Sequence, residues 1–125
     1  MKDLEIRCPV SRTLKVIGGK WKPLIIHQLS VGVRRNGQLK RAIPEITQKM
    51  LTQQLRELEQ DGLVEREVFP VVPPRVDYRL TNLGTSVLPV LEAMAAWGAA
   101  NEAAFPAVDE FVAAPVPAGI SRRVS

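Results

Sequence analysis

Apolar residues recur every three to four positions through most of this chain and alternate with polar ones over one short stretch. The first helical stretch opens at Cys8-Pro9, because proline is tolerated at the first helical position; Val10, Leu14 and Ile17 follow, and Gly18-Gly19 stops it. Trp21, Leu24, Ile25 and Leu29 predict a second, well-buried helix from Lys20 to near Gly32, with Pro23 admissible in its first turn. The segment VRRNGQLKRAI predicts a short third helix with Leu39, Ala42 and Ile43 as its apolar stripe and Pro44 as its end. Thr47 is a good N-cap for a fourth, QKMLTQQLRELEQDG, in which Leu51, Leu55 and Leu58 lie one above another and Gly62 takes the C′ position.

The period then changes. Val64, Arg66 and Val68 share one face of LVEREVF, and Val76, Tyr78 and Leu80 share one face of RVDYRL. The PVVPP between them is too rigid for a two-residue turn, so the pair predicts a hairpin with an extended tip. From Thr81-Asn82 a last long helix carries Leu83, Val87, Leu88, Leu91, Met94 and Trp97, with a bend expected at Pro89. The Ala/Pro-rich remainder, 105–125, lacks either period and reads as a tail, mobile or laid across a partner. Helix, helix, helix, helix, hairpin, helix predicts a mainly α fold with a small β-hairpin wing: a winged helix-turn-helix over residues 8–104.

Charge adds a direction to this plan. Residues 1–81 carry fifteen Lys or Arg against nine acids, whereas 82–120 carry Glu92, Glu102, Asp109 and Glu110 and no basic residue. One part is built to meet an anion and the other is not. At 125 residues a single domain is expected, and 46% apolar content argues against wholesale disorder. One cysteine cannot close an internal disulfide, and with one histidine it cannot furnish a four-ligand zinc site, so no metal and no cofactor are expected. No apolar run approaches the roughly 20 residues of a membrane span, and MKDLEIRCPV has acids where a signal peptide would be apolar. A cytoplasmic protein with no membrane partner is expected. The Gly18-Gly19-Lys20 sequence lacks the spacing of a phosphate loop and reads as a turn.

The segments CPV at 8–10, IGGKW at 17–21, KRAIPEITQKMLTQQLRELEQDGLVERE at 40–67, PPRVDYRLTNLG at 74–84 and LPVLEAMAAWG at 88–98 resemble the HxlR-type bacterial transcriptional regulators. The similarity runs almost unbroken over residues 8–98 and implies a DNA-binding regulator rather than an enzyme. One departure stands out: where that family usually has an aromatic after its Arg-rich segment, this chain has Asn36. Different packing at the start of the third helix is expected, and a DNA-backbone contact there is put in question.

With Leu51, Leu55 and Leu58 turned inward, the opposite face of the fourth helix holds Gln48, Lys49, Thr52, Gln53, Arg56 and Gln60. These are side chains that pair with base edges or touch a thymine methyl, and Gln48 and Lys49 in the first turn would enter a major groove deepest. Arg34, Arg35, Lys40 and Arg41 lie just ahead, suited to phosphates. Two uses fit Arg75 equally: a contact to minor groove or flanking phosphate, or a cap on the hairpin.

Cys8, at a helix start between Arg7 and Arg12, should have its thiolate favoured. The resemblance implies that a cysteine in this position senses electrophiles or oxidants in some members, and a buried inert thiol is the competing reading. His27 is expected to pack within its apolar helix without function, and Trp21 and Trp97 fit core packing better than a ligand pocket. The last helix is apolar around more of its circumference than one neighbour covers, which predicts a homodimer through the terminal helices, with Leu88, Leu91, Met94 and Trp97 in the interface. Such a dimer suits an inverted-repeat operator in double-stranded DNA. The expected function is a sequence-specific regulator, repressing by default, responsive through Cys8. A non-covalent small-molecule effector, a protein-interaction module and a thiol enzyme using Cys8 with His27 are the alternatives.

Overall fold

In the computed structural model residues 8–106 are described; the tail reading over 107–125 and the Arg7 flank of Cys8 fall outside them. The elements in order are α1 (Pro9–Ile17), α2 (Lys22–Leu29), β1 (Arg34–Arg35), α3 (Asn36–Ala42), α4 (Gln48–Gln60), β2 (Val64–Phe69), β3 (Arg75–Leu80), α5 (Asn82–Ser86), α6 (Leu88–Ala100) and a 3₁₀ turn, Glu102–Ala104. The core gathers Ile17 of α1, Ile25, Ile26 and Leu29 of α2, Leu39 of α3, and Leu51, Leu55 and Leu58 of α4. Ile43, Ile46, Leu63 and Val64 join them from the connections and from β2.

The punctuation follows backbone chemistry. Pro9 stands at the start of α1, and Gly19 takes a positive φ of 92° in the turn to α2. The Thr47 hydroxyl accepts from the Met50 N–H at 3.1 Å, satisfying one of the four donors that a helix start leaves unpaired. Gly62, at φ 80°, closes α4, and the next N–H, of Leu63, donates back to the Leu58 carbonyl.

The hairpin pairs Val64 with Leu80, Arg66 with Tyr78 and Val68 with Val76, so the two predicted strand faces lie on the same side of the sheet. The sheet, however, has three strands in the order β1-β3-β2, because Arg34 and Arg35 pair with Tyr78 and Asp77. Two arginines have no apolar alternation, so pairing with an already formed neighbour makes this strand, and the predicted third helix starts correspondingly late, at Asn36.

The final helix is broken at Val87 rather than bent, since Pro89 in the first turn of α6 has no N–H to continue the ladder from α5. Read together, Asn82–Ala100 make 19 residues long and apolar enough by length and composition to cross a bilayer, correcting the expectation that no such stretch exists. Its base belongs to the domain: Gly84 is buried, and Val87, Leu88 and Leu91 pack on the core. Beyond that point the helix projects away, leaving Val90, Met94 and Trp97 exposed, so Leu88 and Leu91 serve the protomer's own core while Met94 and Trp97 do not. Trp97 is 63% exposed, against the core reading of that residue, and meets the Phe105 ring at a tilt, 6.0 Å away. Val10 and Leu14 of α1 are likewise exposed. His27 also departs from expectation: it lies on the solvent side of α2, whose buried face is made by Ile25, Ile26 and Leu29.

A polar contact ties α2 to α4. Lys22 is 9% exposed, and its Nζ lies 2.7 Å from Glu57 Oε1. The Lys22 ammonium, by hydrogen bond and charge, with help from the Gln53 amide, holds the Glu57 carboxyl below its ordinary range. A lowered folded pKa means that the ionised carboxylate favours the fold above the pKa of unfolded glutamate, about 4.3, and that this contribution fades as pH falls through the lower folded value. Urea midpoints followed from pH 7 to pH 3 are expected to decline, and a Glu57→Gln variant to begin lower and decline less. Parallel curves for the two proteins would show that the pair contributes nothing to the acid sensitivity.

Candidate nucleic-acid interface

The buried triad Leu51, Leu55 and Leu58 sets the rotation of α4, and a helix turning about 100° per residue then has no choice about what faces out. Gln48, Lys49, Thr52, Gln53 and Arg56 are all exposed and together line one shallow depression, as the helical pattern predicts. Gln60 is exposed beyond them. Three members of the face are already engaged. The Gln48 amide nitrogen donates to Asn36 Oδ1 at 2.7 Å and to Thr52 Oγ1 at 3.2 Å, and the Gln53 amide donates to Glu57 at 3.2 Å. Glu57 is an acid at this border, and Lys22 pairs with it from α2.

The basic residues ahead of α4 divide into two groups. Arg34 and Arg35, placed on β1, meet Arg75 of β3 around a second depression that Val33, Gln38 and Asp77 complete. The Arg35 N–H donates to Gln38 Oε1 at 2.8 Å, which fixes the start of α3 beside it. Lys40 and Arg41 lie apart from this depression: the Lys40 Nζ donates to the Pro44 carbonyl at 3.3 Å, and Arg41 is exposed on the last turn of α3.

Arg75 makes a two-point fork on Asp77, with Nε to Oδ1 and Nη2 to Oδ2 both at 3.0 Å, and its guanidinium lies 4.8 Å above the Phe69 ring centre. Asp77 is 4% exposed, and its carboxyl is held below the ordinary range first by the Arg75 hydrogen bonds and then by the charges of Arg75, Arg35 and Arg79. The fork uses two of five guanidinium N–H groups, so three remain for an anion while the side chain also braces the hairpin. The two readings of Arg75 are thus compatible. Alternation along a strand places residues i and i+2 on one face, so the Arg75–Asp77 pair was legible in RVDYRL. Asn36 and Lys22 were not, since each acts through a partner twelve or more residues away.

Cys8 is exposed at the N-cap of α1, which removes the buried-thiol reading. Its pKa is lowered chiefly by the backbone N–H groups of Ser11 and Val10, with the Ser11 hydroxyl adding to them. The direction and the helix-start cause match expectation, while Arg12 is not among the causes.

Comparison with known proteins gives this geometry a family. The model of the HxlR-like helix-turn-helix matches residues 16–104. An HTH-type transcriptional regulator of Methanothermobacter thermautotrophicus is 52% identical over 78% of this chain and 75% of its own length. YtcD of Bacillus subtilis, also an HTH-type transcriptional regulator, is 50% identical over 79% of each. Among solved structures, the redox regulator HypR in its oxidised form superposes with a TM-score of 0.71 at 50% identity, covering 75% of this chain and 97% of that one. The chain therefore belongs to the HxlR-like helix-turn-helix family and is a DNA-binding transcriptional regulator with a winged fold.

Proposed function

We propose that this protein is a homodimeric cytoplasmic repressor that reads an inverted-repeat operator with α4 and releases it when Cys8 is modified. The observation that carries the reading is the single exposed face of Gln48, Lys49, Thr52, Gln53 and Arg56, flanked by Arg34, Arg35 and Arg75. Base-pairing side chains on a helix with arginines beside it combine a reading element with phosphate anchors. Lys40 and Arg41 add positive charge along the same approach.

Residues 8–104 form the working unit, with the exposed Val10 and Leu14 of α1 and Val90, Met94 and Trp97 of α6 as the apolar surface for the second protomer. Two such units related by a two-fold axis would set the recognition helices in successive major grooves about 34 Å apart. Cys8 begins the helix that carries part of that surface, so an adduct or an intermolecular disulfide there would change the spacing of the reading helices. The redox regulator HypR, with the same fold, supports a thiol-based signal.

The test is a gel shift of the purified protein on DNA from its own upstream region, with unlabelled competitor, before and after diamide or a quinone. Specific binding is expected to fall on treatment, to return with excess thiol after diamide, and to persist in Cys8→Ser. Specific binding that ignores the reagents would remove Cys8 as the sensor and leave a non-covalent effector. Binding that competitor DNA of any sequence abolishes would remove the reader.

A further inference from the structure

The geometry points to Asn36 as a specificity-determining residue: it locks the Gln48 amide so that α4 offers the major groove a hydrogen-bond acceptor at that position. This rests on the proposal that α4 is the reading helix and names what one of its residues reads.

Gln48 is the first residue of α4 and is exposed, at the end of the helix that would enter deepest. Its side-chain nitrogen has two hydrogens, and the structure supplies two acceptors for them. Asn36 Oδ1 lies 2.7 Å away on the first turn of α3, and Thr52 Oγ1 lies 3.2 Å away one turn along α4. Both hydrogens are committed, and the Gln48 Oε1 takes no hydrogen bond from the described residues. A free glutamine amide reads adenine with two bonds, donating to N7 and accepting from N6. This one has no donor left to give, so that pairing is closed to it.

What remains is acceptance at Oε1. In the major groove the base-edge donors are the N6 amino group of adenine and the N4 amino group of cytosine, while guanine and thymine present carbonyl oxygens that would oppose Oε1. Gln48 should therefore accept adenine and cytosine alike at one position of each half-site and reject guanine and thymine by on the order of tenfold. Asn36 need not touch DNA to have this effect; it acts through the amide. A phenylalanine at residue 36 could not do so, having no acceptor atom to give.

The experiment is selection of the full chain and its variants on a duplex library with a randomised core, followed by sequencing. Gln48→Ala identifies the position, as the one whose preference it erases. There the wild-type protein is expected to accept A and C alike, over G and T, on one strand of each half-site. Asn36→Leu returns one amide hydrogen to Gln48, so its profile is expected to narrow to adenine, about tenfold over cytosine, as N7 becomes readable. Thr52→Val frees the other hydrogen while keeping the methyl, and is expected to shift the same position the same way, which covers a failure of the first variant to fold. In a Gln48→Ala background neither substitution should change that position.

A wild-type preference for a single base pair at the mapped position would overturn the proposal, because the two-bond adenine pairing needs an amide hydrogen that Asn36 and Thr52 hold. So would an unchanged profile in both Asn36→Leu and Thr52→Val, or no position altered by Gln48→Ala while the rest of the motif is selected. If no motif is selected at all, the reading of α4 falls first and this inference with it.

Discussion

A Lys49→Glu, Arg56→Glu double variant is expected to lose specific duplex binding, with affinity at least about a hundredfold weaker at moderate salt. Both side chains are exposed on the outward face of α4, and neither makes a hydrogen bond or ion pair among the described residues. Each cation that neutralises a phosphate releases a condensed counterion, so the logarithm of the binding constant falls with that of salt by a slope of about 0.9 per contact. Reversing two charges removes two such contacts and sets carboxylates against the phosphates. The fold should be untouched, because exposed substitutions away from caps and pairs usually stay within about 0.5 kcal/mol. Fluorescence anisotropy on the operator, as a function of salt and beside a thermal melt, checks both halves. Binding retained within a few-fold at unchanged salt slope would move the DNA off this face.

The second large effect concerns a residue with no side chain. Gly84→Ala is expected to destabilise the domain by about 2 kcal/mol or more, toward the upper end of what overpacking costs. A Cβ on Gly84 would stand 2.1 Å from the Leu63 carbonyl oxygen and 3.2 Å from Leu80 Cδ2, and the first of these neighbours is backbone. The Leu63 carbonyl cannot yield easily, since it accepts the Thr81 N–H at 3.0 Å where the hairpin closes onto α5. In a domain of this size the melting temperature should fall by roughly 10 °C. Because α5 leads into the apolar α6, the loss should also weaken self-association, which sedimentation at several concentrations would detect. A melting temperature within about 2 °C of wild type would mean that α5 can retreat from β2 without loss.

These expectations separate two jobs that the chain keeps apart. Positive charge and base-pairing groups lie on β1, α3, α4 and the wing, while α6 presents Val90, Met94 and Trp97 and carries no basic residue. Three acids of the first 81 residues are each held by a cation: Glu57 by Lys22, Asp77 by Arg75 and Glu67 by Arg79. Their negative charge is thereby kept from opposing the phosphates.

The order of elements was determined by the sequence alone, because period and punctuation are local properties. The triad Leu51, Leu55 and Leu58, with Thr47 before it and Gly62 after, dictates both the span of α4 and which residues face out. The faces of the two hairpin strands likewise followed from alternation, while their register did not. Only the tertiary structure decided what depends on distant partners. Arg34 and Arg35 become a strand because β3 is there to pair with them, Lys22 is buried because Glu57 meets it, and Leu88 and Leu91 turn to the core while Trp97 is left outside. The polarity of Gln48 was least legible of all, since it depends on an amide contact across twelve residues to Asn36, and no local pattern encodes which atom of an amide finds a partner.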